Sequence, residues 1–295
     1  MSGPGAPFST RFAPSPTGPL HFGSLVAALG SWIEARHHGG TWHVRIDDLD
    51  PPREEPGAAD AILRILEAHG LGWDGEVVYQ SRRGAAYQAA LERLRGAGLA
   101  YPCACSRREI QAAARRHGAI GAVYPGTCRD GLPAGRDERA VRVRTDSARI
   151  RFSDGAAGCI TTDLEAEVGD FVIRRADGFF AYHLACAVDD AAFGYSHVIR
   201  GQDLLVCTPP QIHLQRLLGL PTPIYHHLPL AFNEHGQKLS KQNRAPPLSE
   251  ERAAANLVEA LGLLGYSAPE RLRRAAPAEV LAWTLAARAG SEPLA

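Results

Sequence analysis

Two lysines, Lys238 and Lys241, lie three positions apart in the stretch GQKLSKQN, and every other member of the 32 Lys and Arg residues is an arginine. Guanidinium is a planar fork, whereas the lysine ammonium is a compact point charge on a flexible stem. Such a small, mobile cation suits contact with phosphate oxygens. The spacing therefore predicts a phosphate-binding loop, against the simpler interpretation of two solvated surface residues.

A second candidate phosphate site lies in the stretch RFAPSPTGPLHFGS, between a predicted strand at 8–13 and a predicted helix at about 20–37. The N-terminus of a helix carries partial positive charge and free N–H groups that favour phosphate. Gly18 and Gly23 allow a nucleotide to approach the backbone closely, and His21 can donate to a phosphate oxygen. The stretch lacks both P-loop spacing and a complete GxGxxG, so residue types alone indicate a nucleotide site only weakly.

The elements that must position these stretches form a strand, loop, helix, strand pattern, which predicts a parallel α/β sheet. In such a sheet ligands bind beyond the carboxyl ends of the strands, where the first stretch lies. The segment at 171–185 is predicted to be a β-hairpin that turns at 176–178. The other predicted elements are strands at 41–46, 139–144 and 224–232, helices at 57–70, 84–97 and 208–218, and two helical stretches that finish the chain.

Composition limits the class of protein. A length of 295 residues with 45% hydrophobic and 22% charged residues is ordinary for a globular protein of one or two domains. The formal net charge of zero does not by itself indicate a nucleic-acid binder, although arginines cluster near 107–116 and 142–151. The N-terminus lacks the apolar segment of a signal peptide, and no apolar run has the length of a membrane span. We therefore expect a cytoplasmic protein without membrane contact.

Three of the six cysteines are candidates for a metal site. Cys103, Cys105 and Cys128 are close in sequence, and three thiolates need a fourth ligand to complete the tetrahedral site that zinc prefers. By residue type alone His117 is the first choice, and three buried free thiols are the alternative. The other cysteines have apolar or strand-like surroundings and are expected in the core: Cys159, Cys186 and Cys207.

The two stretches together resemble the signature motifs of class I aminoacyl-tRNA synthetases. HFGS occupies the position of the histidine–glycine motif, and KLSKQ occupies the position of the lysine motif. RFAPSPTG followed by RIDDLD resembles the glutamyl branch, and the resemblance extends to about Pro247. It implies a Rossmann-like α/β catalytic core with a zinc-bearing insertion and a short helical C-terminal tail. The implied divisions are the first half of the core at 1–100, the insertion at 101–138, the second half with the lysine motif at 139–247, and the tail at 248–295.

KLSKQN, HFGSL and DDLDPPRE are similar to the truncated paralogues of that branch, the glutamyl-Q tRNA(Asp) synthetase family. The chain ends too soon after Lys241 for the helical anticodon-binding domains of a full glutamyl-tRNA synthetase. The resemblance implies ATP-dependent activation of L-glutamate without tRNA, with Mg²⁺ accompanying ATP. It further implies transfer of the glutamyl group to the cyclopentenediol ring of queuosine, at the wobble position in the anticodon region of tRNA(Asp), by a monomer.

The resemblance also implies a set of site residues. His21, Gly23, Lys238 and Lys241 are implied to be catalytic, and His21, Gly23 and Lys241 to bind ATP, with Ser240 holding the shape of the loop. The implied glutamate-binding residues are Arg11, Phe12, Ala13, Pro14, Ser15, Asp47, Tyr182 and Arg200. The implied ligands of one structural zinc per chain are Cys103, Cys105, Tyr124 and Cys128, which puts a tyrosine where residue type alone favours His117.

Asp47 is the position at which this chain departs from the family pattern. The family has glutamate here, in RIED, to receive the substrate ammonium, whereas this chain has RIDD. Aspartate keeps the charge but reaches roughly 1.5 Å less far, the length of one C–C bond. Either the backbone lies closer, a water bridges the gap, or the substrate adopts another pose.

Three other functions compete with the modifying ligase. A short glutamyl-tRNA synthetase would charge the terminal adenosine of tRNA. An adenylyltransferase that makes a small nucleotide product would also use a histidine motif and a lysine loop. A catalytically silent RNA-binding paralogue is the third. The intact His21, Gly23, Lys238 and Lys241 favour an enzyme over the silent paralogue, and the RFAPS stretch favours amino-acid activation.

Overall fold

A computed structural model of the chain describes residues 7–114, 117–118, 121–230 and 247–290. The described strands are β1 (Ser9–Phe12), β2 (Thr41–Ile46), β3 (Val78–Tyr79), β4 (Ala100–Cys103), β5 (His117–Gly118), β6 (Gly121–Ala122), β7 (Ala140–Val143), β8 (Arg149–Asp154), β9 (Gly158–Asp163), β10 (Val172–Arg174), β11 (His197–Gly201) and β12 (Ile224–Leu228). The described helices are α1 (Phe22–His37), α2 (Ala58–Ala68), α3 (Gly84–Gly96), α4 (Arg107–Ala113), α5 (Leu164–Glu167), α6 (Tyr182–Ala192), α7 (Thr208–Leu217), α8 (Ala253–Leu263) and α9 (Pro277–Ala289).

The predicted parallel α/β core is confirmed. Strand β2 pairs in parallel with β1 on one side and with β3 on the other. Strand β11 pairs in parallel with β12, which continues through β8 to the antiparallel β9. The two groups meet where β1 lies beside β11, and there the Ser9 N–H donates to Ser196 Oγ at 2.9 Å.

The order of the strands places a crevice between β1 and β11. From β1 the chain proceeds outward to β2 and β3, whereas from β11 it proceeds in the opposite direction to β12. Such a reversal of strand order leaves a crevice at the carboxyl ends of the two central strands, which is where open α/β sheets bind ligands. Arg11 and Phe12 end β1, and Arg200 and Gly201 end β11, so both predicted glutamate-binding segments reach this crevice.

Helices cover the core from two sides. Leu25, Leu29 and Ile33 recur along α1 at helical spacing and are buried in a cluster with β2 and with α8. A second cluster packs α3, α6 and α7 against β7 and β8, with Tyr87 and Leu184 fully buried. The site therefore lies between two packed layers, which can hold charged side chains away from water.

A smaller antiparallel sheet, in the order β10, β7 and β4, carries the predicted insertion. Its buried residues form a third cluster around the cysteines: Tyr101, Cys103, Ala104, Tyr124 and Cys128. Helix α4 begins with a capping box, because Ser106 Oγ accepts from the Glu109 N–H while the Glu109 carboxylate accepts from the Ser106 N–H.

Two sequence expectations are wrong. The predicted hairpin at 171–185 has only its first strand, since a short turn ends at a bridge between Arg174 and Phe180 and α6 then begins at Tyr182. Apolar residues spaced for a helix bury one side of this segment, and that packing outweighs the hairpin-like turn. Cys159, expected in the core, is exposed on β9, whereas Cys186 is buried and Cys207 is half-buried. Among the described residues, no helix has both the length and the apolar character to cross a bilayer.

Candidate active site

His21 lies at the N-terminus of the first helix. It is the N-cap residue of α1, and its Nδ1 accepts from the Ser24 N–H at 3.3 Å. Gly23 is the second residue of the helix, and Gly18 in the preceding loop has a φ of +125°, a conformation that favours glycine. The predicted nucleotide loop thus ends at a helix N-terminus, where backbone N–H groups favour phosphate.

The lysine motif lies outside the described residues, so the predictions for Lys238, Ser240 and Lys241 stay predictions. The chain on its C-terminal side is described from Pro247, which forms an antiparallel bridge with His21. The Leu248 N–H also donates to the Leu20 carbonyl at 3.0 Å. The segment that follows the lysine motif is therefore attached next to the histidine motif.

The RFAPS segment and Asp47 are adjacent. The Asp47 N–H donates to the Pro14 carbonyl at 2.9 Å, which joins the loop after β1 to the end of β2. The Asp47 carboxylate is buried and accepts from Arg45 at two atoms, with Nε to Oδ1 at 2.6 Å and Nη2 to Oδ2 at 3.1 Å. Burial raises the pKa of Asp47, while these two bonds act in the opposite direction.

Arg11 belongs to a buried charge network that sequence reasoning missed. Arg11 Nε donates to Asp190 Oδ1 at 3.0 Å, and Arg45 Nη1 donates to the same oxygen at 2.7 Å. Burial alone would raise the pKa of Asp190, but the charges of Arg11 and Arg45 outweigh it and hold that pKa below its ordinary value. Asp190 therefore fixes Arg11 and, through Arg45, the Asp47 carboxylate.

Arg200 and Tyr182 lie together on the other side of the crevice. Arg200 Nη1 faces the Tyr182 hydroxyl at 3.4 Å, and Arg200 is only 5% exposed. Tyr182 is the first residue of α6, and Cys186, one turn later, faces Arg45 Nη2 at 3.3 Å. Helix α6 therefore contacts three of the predicted glutamate-binding residues, Arg11, Asp47 and Arg200, through Asp190, Cys186 and Tyr182.

The four predicted zinc ligands also come together. The Sγ atoms of Cys103, Cys105 and Cys128 all lie within 4.8 Å of one another. The Tyr124 hydroxyl is 3.4 Å from Cys103 Sγ and 3.6 Å from Cys105 Sγ. Tetrahedral zinc with Zn–S bonds of about 2.3 Å needs ligand atoms roughly 3.8 Å apart, so this donor set fits the metal with little movement. The side chain of His117, the alternative ligand, lies outside the description.

An arginine lies against these ligands. Arg142 Nε donates to Cys103 Sγ at 3.2 Å, and its guanidinium lies 3.8 Å from the centre of the Tyr124 ring. Nη1 of the same residue donates to the Asp170 carbonyl at 2.6 Å. This cation beside Cys103 Sγ would offset part of the negative charge of a thiolate site.

A cavity of about 460 Å³ lies beside β2 and β3. Its lining includes His43, Tyr79, Arg82, Arg83 and Phe193, and none of the predicted site residues. The cavity therefore says nothing about the predicted glutamate site.

Comparison with known proteins identifies the family. Residues 7–275 match the family model described as tRNA synthetases class I (E and Q), catalytic domain. The chain is 59% identical to the glutamyl-Q tRNA(Asp) synthetase of Dechloromonas aromatica, over 94% of this chain and 93% of that one. It is 58% identical to the glutamyl-Q tRNA(Asp) synthetase of Thiobacillus denitrificans, over 92% and 90%. The chain belongs to the glutamyl-Q tRNA(Asp) synthetase family. It is a ligase of the aminoacyl-tRNA synthetase type.

Solved structures carry the same fold as this member of the glutamyl-Q tRNA(Asp) synthetase family. A glutamate tRNA ligase from Elizabethkingia meningosepticum, in complex with its amino acid, has a TM-score of 0.77 and 25% identity. The match covers 94% of this chain but only 64% of the ligase chain. The chain therefore spans less than two thirds of that structural relative.

Sequence reasoning about this glutamyl-Q tRNA(Asp) synthetase family member missed the residues that hold the predicted contacts Arg11 and Asp47, namely Arg45 and Asp190. One signal was available, because the stretch LACAVDDAAF places two adjacent acids in an apolar segment. Buried carboxylates need cationic or hydrogen-bonding partners, so such a pair predicts partners elsewhere in the chain. The identity of those partners requires the tertiary structure.

Proposed function

We propose that the protein activates L-glutamate with ATP in the absence of tRNA. It then transfers the glutamyl group to the cyclopentenediol ring of queuosine, at the wobble position of tRNA(Asp). The family and its ligase chemistry are the base of this proposal. One observation supports the assignment of individual residues to glutamate binding. Around α6, at the crevice between β1 and β11, lie Arg11, Asp47, Tyr182 and Arg200.

The two arginines and the aspartate match the charges of glutamate. Arg11 and Arg200 carry guanidinium groups whose positive charge suits the two carboxylates, and Arg200 turns its Nη1 to the side of the crevice. Asp47 presents a carboxylate for the substrate ammonium. Its hydrogen bonds from Arg45 hold it at the end of β2, so the carboxylate proposed to receive the ammonium has a fixed position.

The first step needs no base from the protein, because the substrate carboxylate is already ionised at neutral pH. A carboxylate oxygen attacks the α-phosphorus of ATP and forms a new P–O bond. The bond from that phosphorus to the bridging oxygen breaks, and pyrophosphate leaves with the electron pair. His21 at the N-terminus of α1 contacts the triphosphate, and Lys238 and Lys241 stabilise the charge that develops on the leaving group. Mg²⁺ bound with ATP would neutralise part of the same charge.

In the second step a ring hydroxyl of queuosine attacks the carbonyl carbon of the mixed anhydride. A C–O ester bond forms, the C–O bond to the phosphate breaks, AMP leaves with the electron pair, and the hydroxyl proton is released to solvent. Such transfer to the anticodon region does not use the terminal adenosine of the tRNA.

The cysteine cluster is proposed to hold one structural zinc through Cys103, Cys105, Tyr124 and Cys128. The fit of the four donor atoms supports this assignment. The metal would tie the insertion together and take no part in the reaction. Protein purified without chelators should contain about one zinc per chain, and absence of zinc by elemental analysis would contradict the assignment.

The test of the acceptor uses labelled glutamate, ATP and Mg²⁺ with two forms of tRNA(Asp). One form carries queuosine at the wobble position, and the matched form carries guanosine there. Label on the queuosine form alone supports the proposal. Equal label on both forms, released together with the terminal adenosine, would instead indicate a short glutamyl-tRNA synthetase. Label on neither form, with glutamate activation intact, would require another acceptor.

The test of the activation step uses glutamate-dependent exchange between ATP and pyrophosphate. Lys241→Ala should reduce the exchange rate about 100-fold or more, because it removes a positioned cation from the leaving phosphates. Arg216→Ala, which removes an exposed cation at the end of α7, is the matched control and should leave the rate unchanged. Exchange near the wild-type rate in Lys241→Ala would contradict the assigned role.

A further inference from the structure

Arg200 is held by hydrogen bonds on almost every side. It lies at the end of β11, and Nη2 donates to Thr208 Oγ1 at 2.8 Å and to the Leu204 carbonyl at 3.3 Å. Nε donates to His227 Nε2 at 3.1 Å. Nη1 is turned toward Tyr182 at 3.4 Å, on the side of the crevice. The direction in which Arg200 presents Nη1 therefore depends on the groups that hold Nε and Nη2.

His227 reaches Arg200 from the neighbouring strand. The two residues are in register in the parallel pair of β11 and β12, so their side chains lie on the same face of the sheet. His227 is buried, and its other ring nitrogen, Nδ1, faces Asp154 Oδ2 at 2.5 Å. Asp154 ends β8 and has no exposed side-chain surface. A chain of three buried groups thus runs from Asp154 through His227 to Arg200.

One arrangement of protons satisfies every contact of this chain, including that of Thr208 Oγ1, which accepts from Arg200 Nη2 and can donate to His227 Nε2 at 3.2 Å. Guanidinium has donors and no acceptor, so His227 Nε2 must be the unprotonated nitrogen that accepts from Arg200 Nε. The ring proton must then lie on Nδ1, where Asp154 accepts it. Burial lowers the pKa of His227, and the charge of Arg200 acts in the same direction against the effect of Asp154, which favours the neutral ring that this arrangement needs.

We propose that Asp154 and His227 are positioning residues that hold the Arg200 guanidinium toward the substrate carboxylate, by fixing the Nδ1–H form of His227. The inference rests on the proposed function, because it takes Arg200 as a contact of the bound amino acid. Neither residue contacts the substrate. Each acts through the orientation of Arg200 alone.

The surroundings of Asp154 make it possible to switch the tautomer of His227 with a single isosteric substitution. Oδ1 accepts three backbone N–H groups, from Ala156 at 3.1 Å, Ala157 at 2.9 Å and His227 at 3.2 Å. In Asp154→Asn these donors would keep the amide oxygen at the Oδ1 position. The amide NH₂ would then take the place of Oδ2 and donate to His227 Nδ1. The ring proton would move to Nε2, where it opposes Arg200 Nε–H.

The proton position can be observed directly. Protein labelled with ¹⁵N-histidine should show His227 as the Nδ1–H tautomer in the wild type and as the Nε2–H tautomer in Asp154→Asn. The Nε2–H form in the wild type would overturn the proposal. This NMR readout needs no substrate, so it does not depend on the proposed function.

The kinetic test compares Michaelis constants in the exchange assay. Asp154→Asn should raise the KM for glutamate about tenfold or more, while the KM for ATP changes less than about twofold. His227→Leu, which removes the acceptor altogether, should have at least as large an effect. His227→Gln retains an oxygen acceptor near the Nε2 position and should recover most of the glutamate affinity. An inverted tautomer with unchanged KM for glutamate, or equal increases for both substrates, would overturn the proposal.

A matched control separates positioning from general damage to the fold. His69 is also fully buried with both ring nitrogens bonded, to the Ile65 carbonyl and to Asn256 Nδ2, but it packs α2 against α8. His69→Leu should lower stability without a selective rise in the KM for glutamate. If the wild-type protein exchanges pyrophosphate only with an amino acid other than glutamate, the proposed function is overturned. The inference about positioning is then decided by whether Asp154→Asn raises the KM for that other amino acid.

Discussion

The glutamate pocket and the cysteine cluster gather their residues in opposite ways. The pocket residues come from distant parts of the chain: Arg11, Asp47, Tyr182, Asp190 and Arg200. The cluster draws its four donor atoms from the short interval between Cys103 and Cys128. A local group needs only a short segment to fold around it, whereas the pocket exists only after β1, β2, α6 and β11 have packed together.

The two regions also differ in what balances their charge. In the pocket, Asp190 offsets two arginines, and the side chains of Arg11, Arg45 and Asp190 are at most 3% exposed. In the cluster, Arg142 bonds to Cys103 and Arg136 lies near Cys105 and Cys128, and a divalent cation would add to this positive charge. The pocket is thus stabilised by buried ion pairs within the protein, which are costly to break because each leaves an uncompensated charge.

The largest expected effect comes from neutralising the two buried aspartates, one in each region. Asp190→Asn should destabilise the fold by about 3–5 kcal/mol, because two buried arginines lose a charged partner. Asp170→Asn should cost less, about 1–3 kcal/mol, because its charged partner Arg129 is 24% exposed and can be solvated, while its other donors, from Tyr101 and Thr145, are neutral. Urea unfolding in the presence of zinc measures both. Equal losses would show that the pocket does not depend more strongly on its ion pairs.

A smaller effect should appear as a pH dependence of stability on the pocket side. His183 follows Tyr182 on α6, and among the described residues its buried Nδ1 has no hydrogen-bond partner. Burial lowers the pKa of His183 to about 4, and Arg200 adds to the effect. The unfolded chain takes up a proton near pH 6.5 while the folded protein does not, so stability present above pH 6.5 is lost as the pH falls toward 4.

His183→Leu should remove this part of the pH dependence. Between pH 6.5 and 4 the free energy of unfolding of the variant should fall less than that of the wild type, by up to about 3 kcal/mol. Urea unfolding at a series of pH values measures the difference. Parallel curves for the two proteins would mean that His183 already takes up its proton at the ordinary pKa in the folded state.

The smallest expected effect tests the cluster through the residue behind its ligands. If the cluster holds zinc, Arg142→Met should weaken zinc binding about tenfold, because it removes an N–H bond to Cys103 Sγ and the cation over Tyr124. Competition with a chromophoric chelator measures the affinity. Arg144→Met is the control, since Arg144 lies over the Tyr101 ring and bonds to the Arg129 carbonyl without touching a ligand. An equal loss in both variants would assign the effect to general destabilisation of the insertion.

The elements that the sequence predicted best are those with strong local periodicity or local chemistry. Helix α1 and strand β2 follow the predicted bounds closely, because their apolar residues recur at one clear spacing. The prediction of a hairpin at 171–185 was wrong because a turn signal in the sequence does not show whether the following residues pack as a strand or as a helix. The prediction that Cys159 is buried was wrong because strand residues alternate between faces, and the sequence does not show which face is covered.

The sequence by itself determined the motifs, the α/β class and the set of side chains available for glutamate, phosphate and metal. These depend on residue type and short spacing, which the chain carries directly. Only the tertiary structure decided that Asp190 bonds to both Arg11 and Arg45. It also decided that His227 bonds to Arg200 on one side and to Asp154 on the other. The physical reason is that a buried charge must find a partner in three dimensions, and strand order and helix packing determine which distant residue provides it.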